Sequence, residues 1–252
     1  MSTISKDIEN LVKVSKHLRK PKEAIEAVFQ MAFLSIGRFD LFQSRFPSGY
    51  LQVHERFCTP LKLPTFEMEA LKSIVRTYMN LVKVSEPFCD VLGGLYDQYL
   101  GEELGQFFTP PDIAKLLANF QILGESEIKE GRCRSYLDVC AGGGSLILAC
   151  MSANYIAHGN RGVSLMDISL QDISDKMCKL TTMQVLMSSL IHGIPFSSLS
   201  VRCGNALIAN KDEPQIICIP RISDYLLRHS REDSLVNKLL NRKQMPSEVS
   251  TC

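Results

Sequence analysis

The sequence contains no tryptophan, and its 28 lysine and arginine residues are offset by 27 aspartate and glutamate residues, for a formal net charge of +1. That near-balance excludes a global field drawing the chain onto a polyanion, so any nucleic-acid contact must come from local patches. Nine cysteines are scattered over positions 58, 89, 133, 140, 150, 178, 203, 218 and 252 without one C-x-x-C pair. Their spacing argues against a zinc site or a redox motif and for reduced thiols. No apolar run approaches the ~20 residues of a membrane span, and the opening MSTISKDIEN lacks the apolar centre of a signal peptide. The expectation is a soluble cytoplasmic protein with no membrane contact and no bound metal.

With 252 residues the chain has room for one large domain, or for a core domain with a smaller helical attachment. From about residue 5 to 100 the pattern reads as helical throughout. Ile8, Leu11, Val12, Val14 and Leu18 mark one face; Ala24, Val28, Met31, Ala32 and Leu34 a second, after Pro21; Met68, Leu71, Ile74, Val75, Tyr78 and Leu81 a third. The hexapeptide NLVKVS occurs at residues 10–15 and 80–85, but its flanks differ, so it marks no repeat architecture. Beyond residue 130 the texture changes. CRSYLDVC, VSLMDISLQ, SLSVRCG and PQIICIP read as strands, with helices over residues 146–156 and 172–191 and a turn at HGNRG. Such alternation predicts βαβ units, a parallel sheet with helices on both faces, and hence an α/β fold. The expected division is a helical region over residues 1–100, an α/β domain over 101–243, and a tail, 244–252, too poor in apolar residues to pack.

The stretch LDVCAGGGSLILA, residues 137–149, ends one strand and opens one helix. Three successive glycines let the backbone turn sharply and approach a ligand, while the helix N-terminus presents free N–H groups. A phosphate loop of the G-x-x-x-x-G-K-[ST] kind is absent. The dinucleotide fingerprint G-x-G-x-x-G fits Gly142 and Gly144 but meets Ile147 in place of its third glycine, a weak match. The third reading, S-adenosylmethionine, calls for an acid at the end of the next strand to hold the ribose hydroxyls. Asp172 is favoured there and Asp167 is the fallback; either one could instead cap a helix.

GQFFTPPDIAKLLANF, residues 105–120, sets an aromatic pair and a hydroxyl at the mouth of a helix. Proline suits the first helical position, where its missing N–H would have no partner anyway, and Thr109 is placed to cap the turn. Together with DVLGGLYDQYLGEEL before it, and with the glycine loop, QDISDKMCKLTTMQVLMSSLIHGIP and CGNAL after it, this stretch resembles the N6-adenine DNA methylases related to type I restriction–modification methylation subunits. The similarity spans roughly residues 88–208. It implies a Rossmann-like S-adenosylmethionine-dependent methyltransferase fold with a helical N-terminal region, acting on DNA. It also implies that Gln106, Phe107, Phe108, Thr109 and Pro110 wall the cofactor's methionine moiety. Asp138, Cys140, Ala141, Gly142 and Gly144 match the glycine-loop motif, with Val139 where proline is usual. Asp172 matches the ribose-binding acid, and Asn205 with Ala206 the residues beside the adenine ring.

One part of the pattern is missing. These enzymes carry [DN]-P-P-[YF], whose first side chain and a proline carbonyl accept hydrogen bonds from the adenine N6 amino group while the ring stacks on the flipped base. The only Pro-Pro pair here is Pro110–Pro111, and Ile219, Pro220, Arg221 and Ile222 stand where the motif is expected. No catalytic residue is identified. Two functions follow: an adenine-N6 DNA methyltransferase, or a relative that keeps the fold and serves as a binding or regulatory subunit of a DNA-processing complex. No target-recognition domain is evident before Cys252, so sequence specificity is expected from a protein partner. Phosphate contacts would be sought at Lys6, Lys13, Lys16, Arg19, Lys20 and Lys22, or at Arg221, Arg228, Arg231, Lys238, Arg242 and Lys243.

Overall fold

The computed structural model describes residues 3–37, 51–93, 95, 99, 109–208 and 215–221. Helix α1 (Thr3–Val14) buries Ile4, Ile8 and Leu11 along one stripe, the pattern of a helix packed on one side. Helix α2 (Pro21–Gly37) buries Ala24, Ile25, Val28, Phe29, Met31, Ala32, Phe33 and Ile36, and is accordingly enclosed by its neighbours. Helix α3 (Thr65–Val84) buries Leu71, Ile74, Val75 and Tyr78. The repeated NLVKVS performs the same local task twice: the Ser15 N–H donates to Leu11 O at 2.9 Å and the Ser85 N–H to Leu81 O at 3.0 Å, each ending a helix.

Glu67, in the first turn of α3, ties the α1–α2 connection down. Its Oε1 accepts the Ser15 hydroxyl at 2.5 Å, the Lys16 N–H at 3.1 Å and the His17 N–H at 3.3 Å. The Ser15 hydrogen bond, first among these contacts, holds the carboxyl below the ordinary glutamate range even though burial opposes it. A depressed acid contributes stability that is present at neutral pH and lost as pH falls through its folded value. Glu67→Gln is therefore expected to melt below the wild type at pH 7, with the gap closing toward pH 3. Thermal unfolding across that range checks it; a gap that does not change with pH would refute it.

The remaining elements are β1 (Gln52–Val53), a 3-10 turn (Glu55–Phe57), α4 (Pro111–Asn119), α5 (Glu125–Glu130), β2 (Arg134–Asp138), α6 (Ser145–Ser164), β3 (Met166–Asp172), α7 (Asp175–His192), β4 (Ser198–Cys203) and β5 (Gln215–Ile219). They form a mixed α/β structure around one five-stranded sheet of order β1-β5-β4-β3-β2. Strands β2, β3 and β4 are parallel; β5 runs antiparallel to β4, and β1 antiparallel to β5. The expectation of a parallel sheet is thus corrected in part, since β5 and β1 run antiparallel to their neighbours. The reading of residues 5–100 as helical throughout is corrected as well, since β1 belongs to the sheet.

The strands β2, β3 and β4 step in one direction, and right-handed crossovers then place α6 and α7 on the same face. Burial agrees: Tyr136, Ile168, Leu170, Leu199, Val201 and Ile219 are buried on that face, while Ser135, Leu137, Ser169 and Arg202 on the other are exposed. Among the described residues, then, helices do not cover both faces as the alternation suggested. Helices α2 and α3 pack on α7, and α4 packs on α6. Within the expected turn at HGNRG, Gly159 leaves helical geometry (φ 59°, ψ −150°), so α6 is two helical stretches that meet across a kink there.

Asn154 on α6 is fully buried and satisfied. Its Oδ1 accepts the Leu123 N–H at 2.9 Å, and its amide nitrogen donates to Cys150 O at 2.9 Å and to the Tyr136 hydroxyl at 3.2 Å. The Tyr136 hydroxyl donates in turn to Gln121 O at 2.7 Å. A buried network with every member paired is rigid, so the chain leaving α4 is fastened to both α6 and β2.

Candidate functional site

Strand β2 ends at Asp138, and the chain turns through residues 139–144 into α6. The turn lies at the carboxyl end of the parallel strands, the edge at which open α/β sheets bind ligands. It is held from several sides. The Cys140 N–H donates to Asp138 Oδ1 at 3.1 Å, the Ala141 N–H to Gln171 O at 2.9 Å, and the Gly142 N–H to Asp172 Oδ2 at 2.8 Å. From below, Gln184 of α7 donates to Gly143 O at 2.8 Å. The Ser145 hydroxyl, at the start of α6, donates to Asp90 Oδ2 at 2.6 Å.

The two glycines implicated by their spacing do different work. Gly142 has φ 51°, and a Cβ built on it meets nothing within 4 Å among the described residues, which leave open space above the turn. Gly144 has φ 91°, and its Cβ would run into the Thr181 hydroxyl, with the Thr181 Cβ at 3.2 Å. Gly142 leaves room for a ligand; Gly144 lets the first turn of α6 touch α7.

Of the two acids on β3, only Asp172 reaches this edge. Asp167 lies at the other end of the strand, where Arg221 Nε donates to its Oδ1 at 2.9 Å and the Ser198 hydroxyl donates at 3.0 Å. The fallback is therefore excluded on geometry. Asp172 is not a helix cap: Ser174 caps α7, and Asp172 Oδ1 accepts the Ser174 N–H at 2.9 Å. Asp138 is the second carboxylate at the edge. Burial pushes its pKa above the ordinary range, the Cys140 N–H opposes this, and the charge of Asp172 adds to it.

The other expected site residues fall into three groups. Asn205 and Ala206 follow β4 at the same edge: the Gly204 N–H donates to Asp172 O at 2.9 Å, and Asn205 Oδ1 accepts the Leu207 N–H at 3.0 Å. Thr109 and Pro110 lead into α4, but Pro110 is the N-cap residue and no side-chain hydrogen bond caps the helix, so the capping role expected of Thr109 is corrected. Gln106, Phe107 and Phe108 lie outside the described residues.

The stretch expected at the adenine-gripping position is elsewhere. Ile219 pairs with Leu199 at the beginning of β4, and Arg221 reaches Asp167 at the beginning of β3. Because β5 is antiparallel, Ile219, Pro220 and Arg221 sit at the opposite end of the sheet from the glycine turn; Ile222 lies outside the described residues. Thr181 and Gln184, which shape and hold the glycine turn, escaped the sequence reading. The available signal was a set of polar residues, Thr181, Thr182, Gln184 and Ser188, inside the otherwise apolar stretch 180–188 of the helix; all four are buried.

A glycine turn and an acid brought to one edge of a mixed sheet define the class, an α/β protein with a backbone-lined cradle. The chain belongs to the N-6 DNA methylase family, whose model matches residues 88–225, more than half of its length. No curated protein and no solved structure matches it. Among the described residues, no helix is long and apolar enough to cross a membrane.

Proposed function

We propose that the region over residues 101–243 is a Rossmann-like methyltransferase unit, joined to the helical residues 1–100, that binds S-adenosylmethionine across the glycine turn. The observation carrying this reading is the open space at Gly142 directly beside Asp172. The residues suit the ligand. Asp172 uses two of its roughly four acceptor positions on the Gly142 and Ser174 N–H groups, which leaves positions for ribose hydroxyls. Asn205 stands at the same edge for the adenine, and the segment ending in Thr109 and Pro110 is proposed as the methionine wall. When bound, the sulfonium would supply an activated methyl group for adenine N6 in DNA, the reaction for which the family is named.

What this chain contributes by itself is cofactor binding. The sequence contains no [DN]-P-P-[YF], so nothing in it supplies the usual acceptor and stacking ring for a flipped adenine. This favours a binding or regulatory member of a DNA-methylating complex, with the partner bringing target recognition and the missing groups.

Asp172→Asn is expected to weaken calorimetric binding of S-adenosylhomocysteine by about 10- to 100-fold, the worth of hydrogen bonds to a charged group. Asp167→Asn, at the far end of the same strand, should leave the affinity unchanged. Equal losses in both variants would remove Asp172 from the site.

A further inference from the structure

Helix α6 begins without a cap of its own. Its N-cap residue is Gly144, and no side-chain hydrogen bond caps the first turn from there. Serine, threonine or aspartate would normally fill this position and satisfy an orphan N–H. Here they are shut out: φ at Gly144 is 91°, and a Cβ would lie 3.2 Å from the Thr181 Cβ and closer still to the Thr181 hydroxyl. The close approach of α7 thus removes the usual device for fixing a helix start, at the point where the glycine turn ends.

An acid from elsewhere in the chain stands in. Ser145, the first residue of α6, donates its hydroxyl to Asp90 Oδ2 at 2.6 Å, across 55 positions of sequence. A carboxylate at a helix N-terminus also complements the positive end of the helix dipole. Because this contact is made to the Ser145 side chain, it fastens the start of α6 without consuming the backbone N–H groups that a ligand cradle needs.

The segment presenting Asp90 is itself unfavourable. Phe88, two residues earlier, is buried with φ 61°, the single non-glycine residue with positive φ among the described residues, and its N–H donates to the Ser188 hydroxyl of α7 at 2.8 Å. Leu92, two residues later, is buried as well. Between these pins the carboxylate folds back over Gly93, where a Cβ would meet Oδ2 at 2.8 Å, and Oδ1 is buried without a hydrogen-bond partner. A left-handed phenylalanine and a half-satisfied carboxylate both oppose folding. Two such features within three residues mark a segment whose geometry serves more than stability.

We propose that Asp90 is a positioning residue, a remote cap of α6 through which the chain leaving α3 holds the glycine turn in shape for the cofactor. Its bearing on the cofactor rests on the reading above; the capping does not.

Ser145→Ala and Asp90→Ala are each expected to weaken calorimetric binding of S-adenosylhomocysteine about ten-fold, and the double variant no further, since both remove one contact. Asp90→Asn, which keeps an acceptor for the Ser145 hydroxyl, should recover most of the affinity. Without ligand, amide exchange followed by NMR should quicken about ten-fold in Ser145→Ala at Gly142, Gly144 and Leu148, whose N–H groups bond within and around the turn, and stay unchanged at Leu170 on β3. Should Asp90→Ala fail to fold, Ser145→Ala carries the test, because alanine suits a helical position. Wild-type affinity in folded Ser145→Ala would overturn the proposal, as would equal acceleration of all four amides, the mark of a contact that only stabilises. If the wild type fails to bind S-adenosylhomocysteine, the cofactor reading falls, and the exchange pattern alone decides whether Asp90 positions the turn.

Discussion

Gly144→Ala is expected to lose about 3 kcal/mol of folding stability, whereas Gly142→Ala loses only about 1–2 kcal/mol and stays folded. Both positions hold the backbone in the left-handed region, with φ 91° and 51°, so each substitution carries the conformational cost of a Cβ there. Among the described residues only Gly144 has a neighbour to collide with, since its Cβ would be driven into Thr181 and overpack a closed contact. The functional effect runs the other way. Gly142→Ala fills space proposed for the cofactor, and should abolish S-adenosylhomocysteine binding in a protein that still unfolds cooperatively. Denaturant titration of the two variants separates these roles. Thr181→Ala combined with Gly144→Ala should recover the collision but not the backbone cost, a coupling of about 1 kcal/mol or more. Equal destabilisation by the two alanines would show that the contact between α6 and α7 is not what demands Gly144.

The purified chain is expected to transfer methyl groups to unmethylated DNA at a rate lower by about 100-fold or more for each missing anchor than a complete methylase, because such catalysis resides in preorganised positioning. The structure sharpens the reason. Had Ile219-Pro220-Arg221 stood beside the glycine turn, a weakened grip on adenine would be conceivable; they lie instead at the far end of the sheet, with Arg221 committed to Asp167. Among the described strands β2 lies at the edge of the sheet, with Leu137 72 % exposed. Labelled-methyl incorporation by the pure chain, repeated with host extract, is the measurement. Incorporation only with extract would mark a split enzyme, and none with cofactor still bound would mark a regulatory subunit. Robust incorporation by the chain alone would overturn the assignment.

Much of the site was legible because its signals are local. A strand, a glycine run and a helix occupy one continuous stretch, so residues 137–149 announced their turn without reference to the rest of the chain. Asp172 was legible for a similar reason, standing at the end of the next strand; Asp167, only five positions earlier in the same strand, could not be dismissed from sequence. The strand's direction and its neighbours put Asp172 against Gly142 and Asp167 against Arg221.

The sequence by itself determined the helices, whose apolar spacing is set by burial on one side, the strands from residue 134 onward, the glycine turn, and the absence of an adenine-gripping motif. Tertiary structure alone decided three things. Strand β5 pairs antiparallel with β4, because the hydrogen-bonding edge a strand joins depends on which edge the earlier strands leave unpaired, and that is not written in its own residues. Strand β1, two residues long, exists only because β5 offers it partners. Gly144, Thr181 and Gln184 act together across 37 and 40 positions of chain, and what makes each necessary is the close approach of α7 to the glycine turn, a distance no local pattern encodes.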